Sequence, residues 1–192
     1  YAHTMYMYFV ITPPEETVER GWIRGQQRGR YKSVEDFLGH SVEAYQGIPK
    51  LIFKWLAHTS PRYEFTFFDN SVPNGQFPLT SVTGNQKGMQ VFDPMVFINI
   101  VRYQKINIYA QSLQQVYPTG ERMSIANNIS FFSQCLTRFP YVAFSLKQGA
   151  EPYLIIRQKT YSVTQQQEFN QQLKDPELNL LFEHILTTRI LR

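Results

Sequence analysis

The sequence predicts an α/β fold in which a parallel sheet with flanking helices is followed by an α+β extension containing a β-hairpin. Three observations predict it. Met5–Ile11 is a continuous apolar run, which is typical of a parallel strand buried on both faces with a neighbour on each side. A second strand-like run at Tyr63–Asn70 follows a long stretch of helical periodicity. Towards the other end, two apolar runs flank KQGAEP, a turn-rich segment typical of a hairpin.

Composition narrows the class of protein. A chain of 192 residues with 43% apolar and 18% charged residues is typical of one globular domain, with or without an appendage. The net charge of +4 suits an anionic partner but is too small to indicate nucleic-acid binding. No apolar run approaches the roughly eighteen residues that span a bilayer, so we expect no membrane partner.

The cysteine content bears on the compartment. Cys135 is the single cysteine, so the chain has no internal disulfide, and we expect an inert thiol in a reducing compartment. The cytoplasm is the simplest assignment, with a secreted effector as the alternative. His3, His58 and His184 show no metal-ligand spacing, and His40 on a helix is expected to be a surface or packed histidine, so we predict no metal site in this chain.

The first helix is predicted to follow the first strand directly. Thr12 can cap it, a proline suits its first turn, and Glu15 and Glu16 lie where the helix dipole favours negative charge. Gly25 and Gly29 are expected to interrupt it, leaving the basic part as an irregular connection. Its inner stripe is predicted to contain Val18, Trp22 and Ile23.

The remaining elements follow in order. A second helix is predicted from Ser33, with Asp36 completing an imperfect capping box, and Trp55 is expected in the core. Residues 71–88 are predicted to form a turn-rich loop. Helices are expected in the first half of 95–113 and around 127–139. The hairpin occupies 141–163, and a final helical region is punctuated at Asp175–Pro176.

The segment between the first two helices concentrates positive charge in Arg20, Arg24, Arg28, Arg30 and Lys32. A solvated basic helix face is one interpretation, and Arg20 can pair with Glu16 one turn earlier. A phosphate site is the other, because planar guanidinium forks match the oxygens of a phosphoryl group. Neighbouring glycines would let such a segment close over a ligand and reopen.

Several motifs together resemble one family. The stretch YFVITPPEETVERGWIRGQQRGRYKSVEDFLGHSVEAYQGIPKLIFKW, followed by FFDNSVPNGQFPL, is similar to the later half of the zeta-toxin-like group of P-loop kinases. The resemblance covers about Tyr6 to Ala110. It implies a P-loop kinase-like parallel α/β core and transfer of the γ-phosphate of ATP to a small acceptor, which in the best-known members is a nucleotide-activated sugar.

The resemblance also implies roles for individual residues. By position after TPPE, Arg24 corresponds to the first arginine of a lid over the triphosphate, and Arg30 to the second. Arg28 and Lys32 would add positive field around ATP. Because ligand groups gather where parallel strands end, Asp69 and Asn70 are further ATP-binding candidates, with a cap and a turn residue as the alternatives. The candidate catalytic residues are therefore Arg24 and Arg30. The candidate cofactor-binding residues are Arg28, Lys32, Asp69 and Asn70.

One departure from the family limits the functional hypothesis. The phosphate-cradling G-x-x-x-x-G-K-[ST] loop does not occur in these 192 residues, and GNQKG at Gly84–Gly88 lacks the spacing. We therefore expect residues 1–110 to form the back half of a kinase domain, with its lid at about 20–47. Magnesium would bind through an upstream half, and this chain alone would not transfer phosphate.

Residues 111–192 form the predicted extension, whose role the sequence does not indicate. The alternative function is a non-catalytic, kinase-like module that binds a protein partner or inhibitor through this aromatic-rich part.

Overall fold

The fold is known from a computed structural model that describes residues 3–190, with side chains described as far as residue 187. A seven-stranded sheet runs through the molecule, and its strands are hydrogen-bonded in strict sequence order. The strands are β1 Thr4–Ile11, β2 Arg62–Asp69, β3 Leu79–Asn85, β4 Gly88–Val91, β5 Val142–Phe144, β6 Leu154–Arg157 and β7 Thr160–Val163.

Helices fill the two long connections of the sheet and the end of the chain. The helices are α1 Pro14–Arg28, α2 Val34–Leu56, α3 Met95–Tyr103, α4 Leu113–Val116, α5 Ser130–Arg138, α6 Gln166–Gln172 and α7 Pro176–Ile190. Short 3-10 turns occupy Gly120–Met123 and Ala126–Asn128. The α/β class is therefore confirmed.

The predicted parallel sheet is wrong in detail, because the sheet is mixed. Only β1–β2 and β4–β5 pair in parallel, and every other neighbouring pair is antiparallel. Connection length explains the pattern. The two parallel pairs enclose helical crossovers, whereas short links such as the one between Asn85 and Gly88 can only reverse the chain.

The position of β1 was predicted correctly, but its burial and its number of neighbouring strands were not. Its burial alternates along the strand, and among the described strands it pairs only with β2. Met5, Met7 and Phe9 pack against the core, whereas Tyr6 and Tyr8 point away and are 57% and 64% exposed. Within residues 3–190, this apolar run is therefore an edge strand with one open face, and not a strand buried on both faces.

Two further strands lie where the sequence predicted none. Within the predicted loop at 71–88, residues 79–85 form β3 and residue 88 begins β4. A bulge between Phe67 and Phe68 adjusts the register of β2 to β3. The predicted hairpin at 141–163 is confirmed but has three strands, since Gln158, at φ 51°, turns the chain from β6 into β7.

The helix α1 corrects three predictions. It runs without a break through Gly25 and ends at Gly29, which adopts a left-handed conformation with φ 66°. Its N-cap is Pro13, so Thr12 is not the cap. Trp22 is not in the core, because it is 57% exposed and its ring lies 5.4 Å from that of Tyr31.

Other helix predictions are confirmed. Ser33 Oγ accepts a hydrogen bond of 3.1 Å from the Asp36 backbone N–H at the start of α2. The helices α3 and α5 occupy the expected segments, and the chain is broken into α6 and α7 next to Pro176. Trp55 is half-buried and packs against the core. Among the residues described, no helix is long and apolar enough to cross a membrane.

One aromatic-rich core holds the molecule together. Phe67 of β2, Phe97 of α3 and Phe132 of α5 are fully buried, and the rings of Phe97 and Phe132 stack at 4.4 Å. Phe144 of β5 and Phe182 of α7 continue the cluster, with rings 5.6 Å apart. The core therefore includes side chains from both sides of residue 110.

Candidate functional site

The basic segment is organised by α1 and by the turn that ends it. Arg24 and Arg28 lie one helical turn apart on α1, so their side chains project from the same side. Gly29 donates a 2.8 Å hydrogen bond to the Gly25 carbonyl and reverses the chain with its positive φ. The reversal returns Arg30 towards the helix that carries the other two arginines.

Two glycines allow this return. A Cβ on Gly25 would lie 2.8 Å from the Tyr31 ring and 3.0 Å from the Arg30 carbonyl oxygen. A Cβ on Gly21 would lie only 2.3 Å from the Phe37 ring of α2. Any larger residue would push these partners away, so the glycines set how closely α1, the turn and α2 approach each other.

The result is a cavity of about 460 Å³ lined by Gly21, Arg24, Arg28, Arg30 and Phe37. We call it the arginine cavity. No carboxylate lines it, and no ion pair is formed by its three arginines within residues 3–187. The Nε atom of Arg24 donates to the Arg20 carbonyl at 3.3 Å. The cavity therefore holds an uncompensated positive charge, which suits a multiply charged anion.

Arg20 has a structural role that is separate from this cavity. Its Nη2 atom lies 2.8 Å from Glu16 Oε2, which confirms the predicted pairing, and 2.8 Å from the carbonyl oxygens of Asn70 and Val72. It thus fixes α1 to the loop that follows β2.

Lys32 lies beside the arginine cavity but does not line it. Its Nζ atom is 3.1 Å from Nδ1 of His40 and 5.7 Å from the centre of the Phe37 ring. A cation held over an aromatic ring contributes about 0.5–1 kcal/mol at an exposed site. Lys32 therefore supports Phe37 and adds positive field near the cavity.

Asp69 and Asn70 lie at the end of β2, next to the end of β1, where the sequence predicted them. Asp69 Oδ1 accepts hydrogen bonds from the backbone N–H and the hydroxyl of Ser71, at 2.8 and 2.6 Å. Asn70 Nδ2 donates to Thr12 Oγ1 at 3.0 Å. Neither residue lines the arginine cavity, so the structure does not bring them together with Arg24, Arg28 and Arg30.

A tyrosine latch connects α2 to the turn between β1 and α1. The Tyr45 hydroxyl donates to the Thr12 carbonyl at 2.5 Å and accepts from the Thr12 N–H at 3.0 Å. Burial raises the pKa of Tyr45 above its ordinary value of 10.0, so the phenol stays protonated and can make both bonds. The latch holds the start of α1 against α2 and so fixes where the arginines lie.

A groove of about 540 Å³ lies beside the arginine cavity, and Phe37 lines both. Its walls combine Tyr8 and Val10 of β1 with the polar side chains of Thr12 and Ser41. A mixed apolar and polar groove next to a cationic cavity can hold the uncharged body of a ligand whose phosphates reach the arginines.

The acidic and histidine side chains that the structure describes form no metal centre. Within the described part of the chain, no group of three His, Cys, Asp or Glu residues could hold a metal ion.

Comparisons with known proteins do not identify a relative: no family model, curated protein or solved structure matches this chain.

Sequence reasoning named the arginines but missed the residues that shape their cavity. Gly21, Gly25 and Gly29 recur every four residues, which was a usable signal of a helix face approached closely by its neighbours. Phe37 and Tyr45 had no such signal, because a packed aromatic and a ligand-lining aromatic look alike in sequence.

Proposed function

We propose that the arginine cavity binds the phosphate groups of ATP and that this chain is the lid-bearing part of a zeta-toxin-like, ATP-dependent phosphotransferase. The observation that carries the proposal is the convergence of Arg24, Arg28 and Arg30 on one cavity without a carboxylate partner. The acceptor in this proposal is a small molecule such as a nucleotide-activated sugar.

The roles in this proposal follow from charge. A transferring phosphoryl group spreads negative charge over several oxygens, and guanidinium groups can bind them in pairs. Arg24 and Arg30 approach the phosphates from the helix and from the turn, while Arg28 supplies further positive charge. The adjacent groove receives the nucleoside. Phe37 lines both regions and so lies between them.

Binding and transfer are separate parts of the proposal. Transfer requires a phosphate-cradling loop and a metal ion, and neither the loop sequence nor a metal-holding group is found in residues 3–187. The property expected of this chain by itself is therefore nucleotide binding without turnover.

Titration calorimetry of the purified chain with ATP, ADP and AMP tests the proposal. We expect affinity to increase with the number of phosphates and to fall as salt is added, because each contact is charge-assisted. Arg24→Ala and Arg30→Ala should each weaken ATP binding about tenfold or more, the effect of losing a hydrogen bond of roughly 1.5–3 kcal/mol to a charged group.

Arg62→Ala is the matched control. Arg62 is exposed at the start of β2 and lines neither the arginine cavity nor the groove, so its removal should leave the affinity unchanged. Equal loss in all three variants would indicate non-specific attraction to positive charge and would contradict the assignment, as would equal affinity for ATP and AMP.

A second candidate function, binding of a protein partner, is favoured by a different observation. Tyr6, Tyr8 and Val10 are exposed side by side on the open face of β1, and exposed apolar surface of this kind is typical of interaction sites. If ATP does not bind, this interpretation becomes the leading one.

A further inference from the structure

A second concave site lies between the start of α1, the start of α2 and the segment at 108–116. Its volume is about 430 Å³, within the range of sites for small molecules. Like the arginine cavity it is bounded by both helices, but through different residues. Val18 and Leu38 line it, whereas Gly21 and Phe37 line the arginine cavity. We call it the acidic cavity.

The walls of the acidic cavity are mostly apolar. Leu38 and Val116 are buried at its base, and Ile108 is half-buried beside them. Leu113, Tyr109 and Val34 are 67%, 66% and 45% exposed around it. Apolar side chains left this open gain free energy when a ligand covers them, at roughly 25 cal/mol per Å².

The acidic cavity is lined by two charged residues, and both are glutamates. Glu15 and Glu35 line the cavity, and no lysine or arginine does. Glu15 is held in place because its carboxylate accepts a hydrogen bond from the Tyr117 hydroxyl. Glu35 is exposed, and its carboxylate has no hydrogen bond or ion pair in the portion of the chain that the structure describes. One carboxylate is therefore positioned and the other is free to bind a cation.

We infer that the acidic cavity is a binding site for a small amphiphilic cation, that is, an apolar body carrying a protonated amine. The apolar walls would cover the body, and Glu35, with Glu15 lining the same cavity, would bind the ammonium group. This charge complementarity selects against anions. It also separates the site from the arginine cavity, whose charge is opposite, so the inference does not depend on ATP binding.

Titration of the chain with n-octylamine, followed by amide chemical shifts, tests the inference. We expect saturable shifts centred on the amides of Ala110, Gln111 and Ser112, which line the cavity. Octanoate, which has a similar apolar body but the opposite charge, should cause no saturable shifts there. Added salt should weaken octylamine binding.

Charge-neutralising variants assign the carboxylate. Glu35→Gln should weaken octylamine binding about three- to fivefold, the magnitude of an exposed ion pair. Glu43→Gln removes another exposed carboxylate, which lies later on α2 and outside the cavity, so it should have no effect. Both substitutions are on the surface and should leave the fold intact.

A variant that fills the cavity provides an independent check. Ala110→Met should abolish the octylamine shifts if the cavity is the site. Three results would overturn the inference: equal binding of octylamine and octanoate, equal effects of the two glutamate substitutions, or octylamine shifts that lie elsewhere in the molecule.

Discussion

At the scale of single residues, two buried tyrosines have opposite consequences. The Tyr45 hydroxyl makes two hydrogen bonds to Thr12. The Tyr63 hydroxyl is buried and, among the described residues, has no hydrogen-bond partner. A buried polar group costs free energy unless it is paired, so the same chemical group stabilises the fold at one position and destabilises it at the other.

Removing each hydroxyl tests this contrast. Tyr45→Phe should lower the free energy of unfolding by about 1–3 kcal/mol, because the backbone N–H and carbonyl of Thr12 both lose the hydroxyl that they bond. Tyr63→Phe should leave the free energy of unfolding unchanged or raise it by about 1 kcal/mol. Urea unfolding at neutral pH measures both, and each substitution is the control for the other. A loss of stability in Tyr63→Phe would show that its hydroxyl is paired.

The pH dependence of stability above pH 10 provides a second test for Tyr63. Burial raises the pKa of Tyr63 from 10.0 to about 12. Between these values the unfolded chain has released the proton and the folded chain has kept it, so stability falls as pH rises through this window. Tyr63→Phe should remove that part of the alkaline loss.

At this scale the sequence showed which residues could bind phosphate more reliably than it showed which residues are buried. Arg24, Arg28 and Arg30 could be named as a group because clustered arginines and glycines are visible in the chain. Trp22 could not be placed correctly, because hydrophobicity predicts burial only when the helix face is known. Asp69 and Asn70 were located correctly at a strand end, but local turn bonds with Ser71 and Thr12 could not be distinguished from ligand contacts.

At the scale of elements, α1 shows how a helix can run without a break although neighbouring residues pack closely against its backbone. Glycine is unfavourable in a helix interior, yet Gly25 is retained inside α1 because Tyr31 and the Arg30 carbonyl occupy the space of a side chain. The sequence rule that glycine interrupts a helix therefore failed here, since tertiary packing compensated for the local cost.

A pair of glycine substitutions tests this account. Gly25→Ala should weaken ATP binding about tenfold, comparable to the loss of one arginine contact, because the turn carrying Arg30 must move away. Gly39→Ala is the control: its Cβ would meet nothing within 4 Å, so it should raise α2 stability by up to about 1 kcal/mol and leave binding unchanged. Calorimetry and urea unfolding measure the two effects. Unchanged ATP affinity in Gly25→Ala would contradict the packing argument.

Helices were predicted more reliably than strands for a physical reason. Helix signals such as the Ser33 cap and the break before Pro176 are local and remain readable in the sequence. Strand pairing depends on partners far along the chain. The strand β3 mixes polar and apolar residues, and β4 and β7 have only four residues each, so none of the three carried a decisive signal.

At the scale of the whole molecule, the sheet crosses the boundary that the sequence suggested at residue 110. Met89 of β4 pairs with Val142 of β5, and the core cluster includes Phe97 together with Phe144. Backbone pairing and side-chain packing both join the two parts, so we expect them to unfold together.

Two intrinsic probes, one on each side of residue 110, measure whether the two parts of the chain unfold together. Trp55 packs against the core in the first part, and Cys135 is fully buried in the second, where burial raises the pKa of its thiol and suppresses its reactivity. In a urea titration, tryptophan fluorescence and thiol labelling should give the same midpoint. Labelling of Cys135 at lower urea than the fluorescence change would instead support two separately folded units.

The overall architecture was predictable only to its class. Alternation of strand and helix signals indicated α/β, but the mixed sheet follows from the lengths of connections whose flanking strands were not recognised. Sheet order is a property of the assembled chain, and no single segment encodes it.

Among the residues that the structure describes, β1 lies open at one end of the sheet, which affects how the protein behaves at high concentration. Thr4–Ile11 contains no charged residue and no proline, whereas Arg157 and Lys159 lie close to the opposite end. Natural sheets use such residues to discourage unwanted strand addition. A strand from a second molecule should therefore pair with β1 more readily than with β7. We expect concentrated samples to self-associate through β1 first.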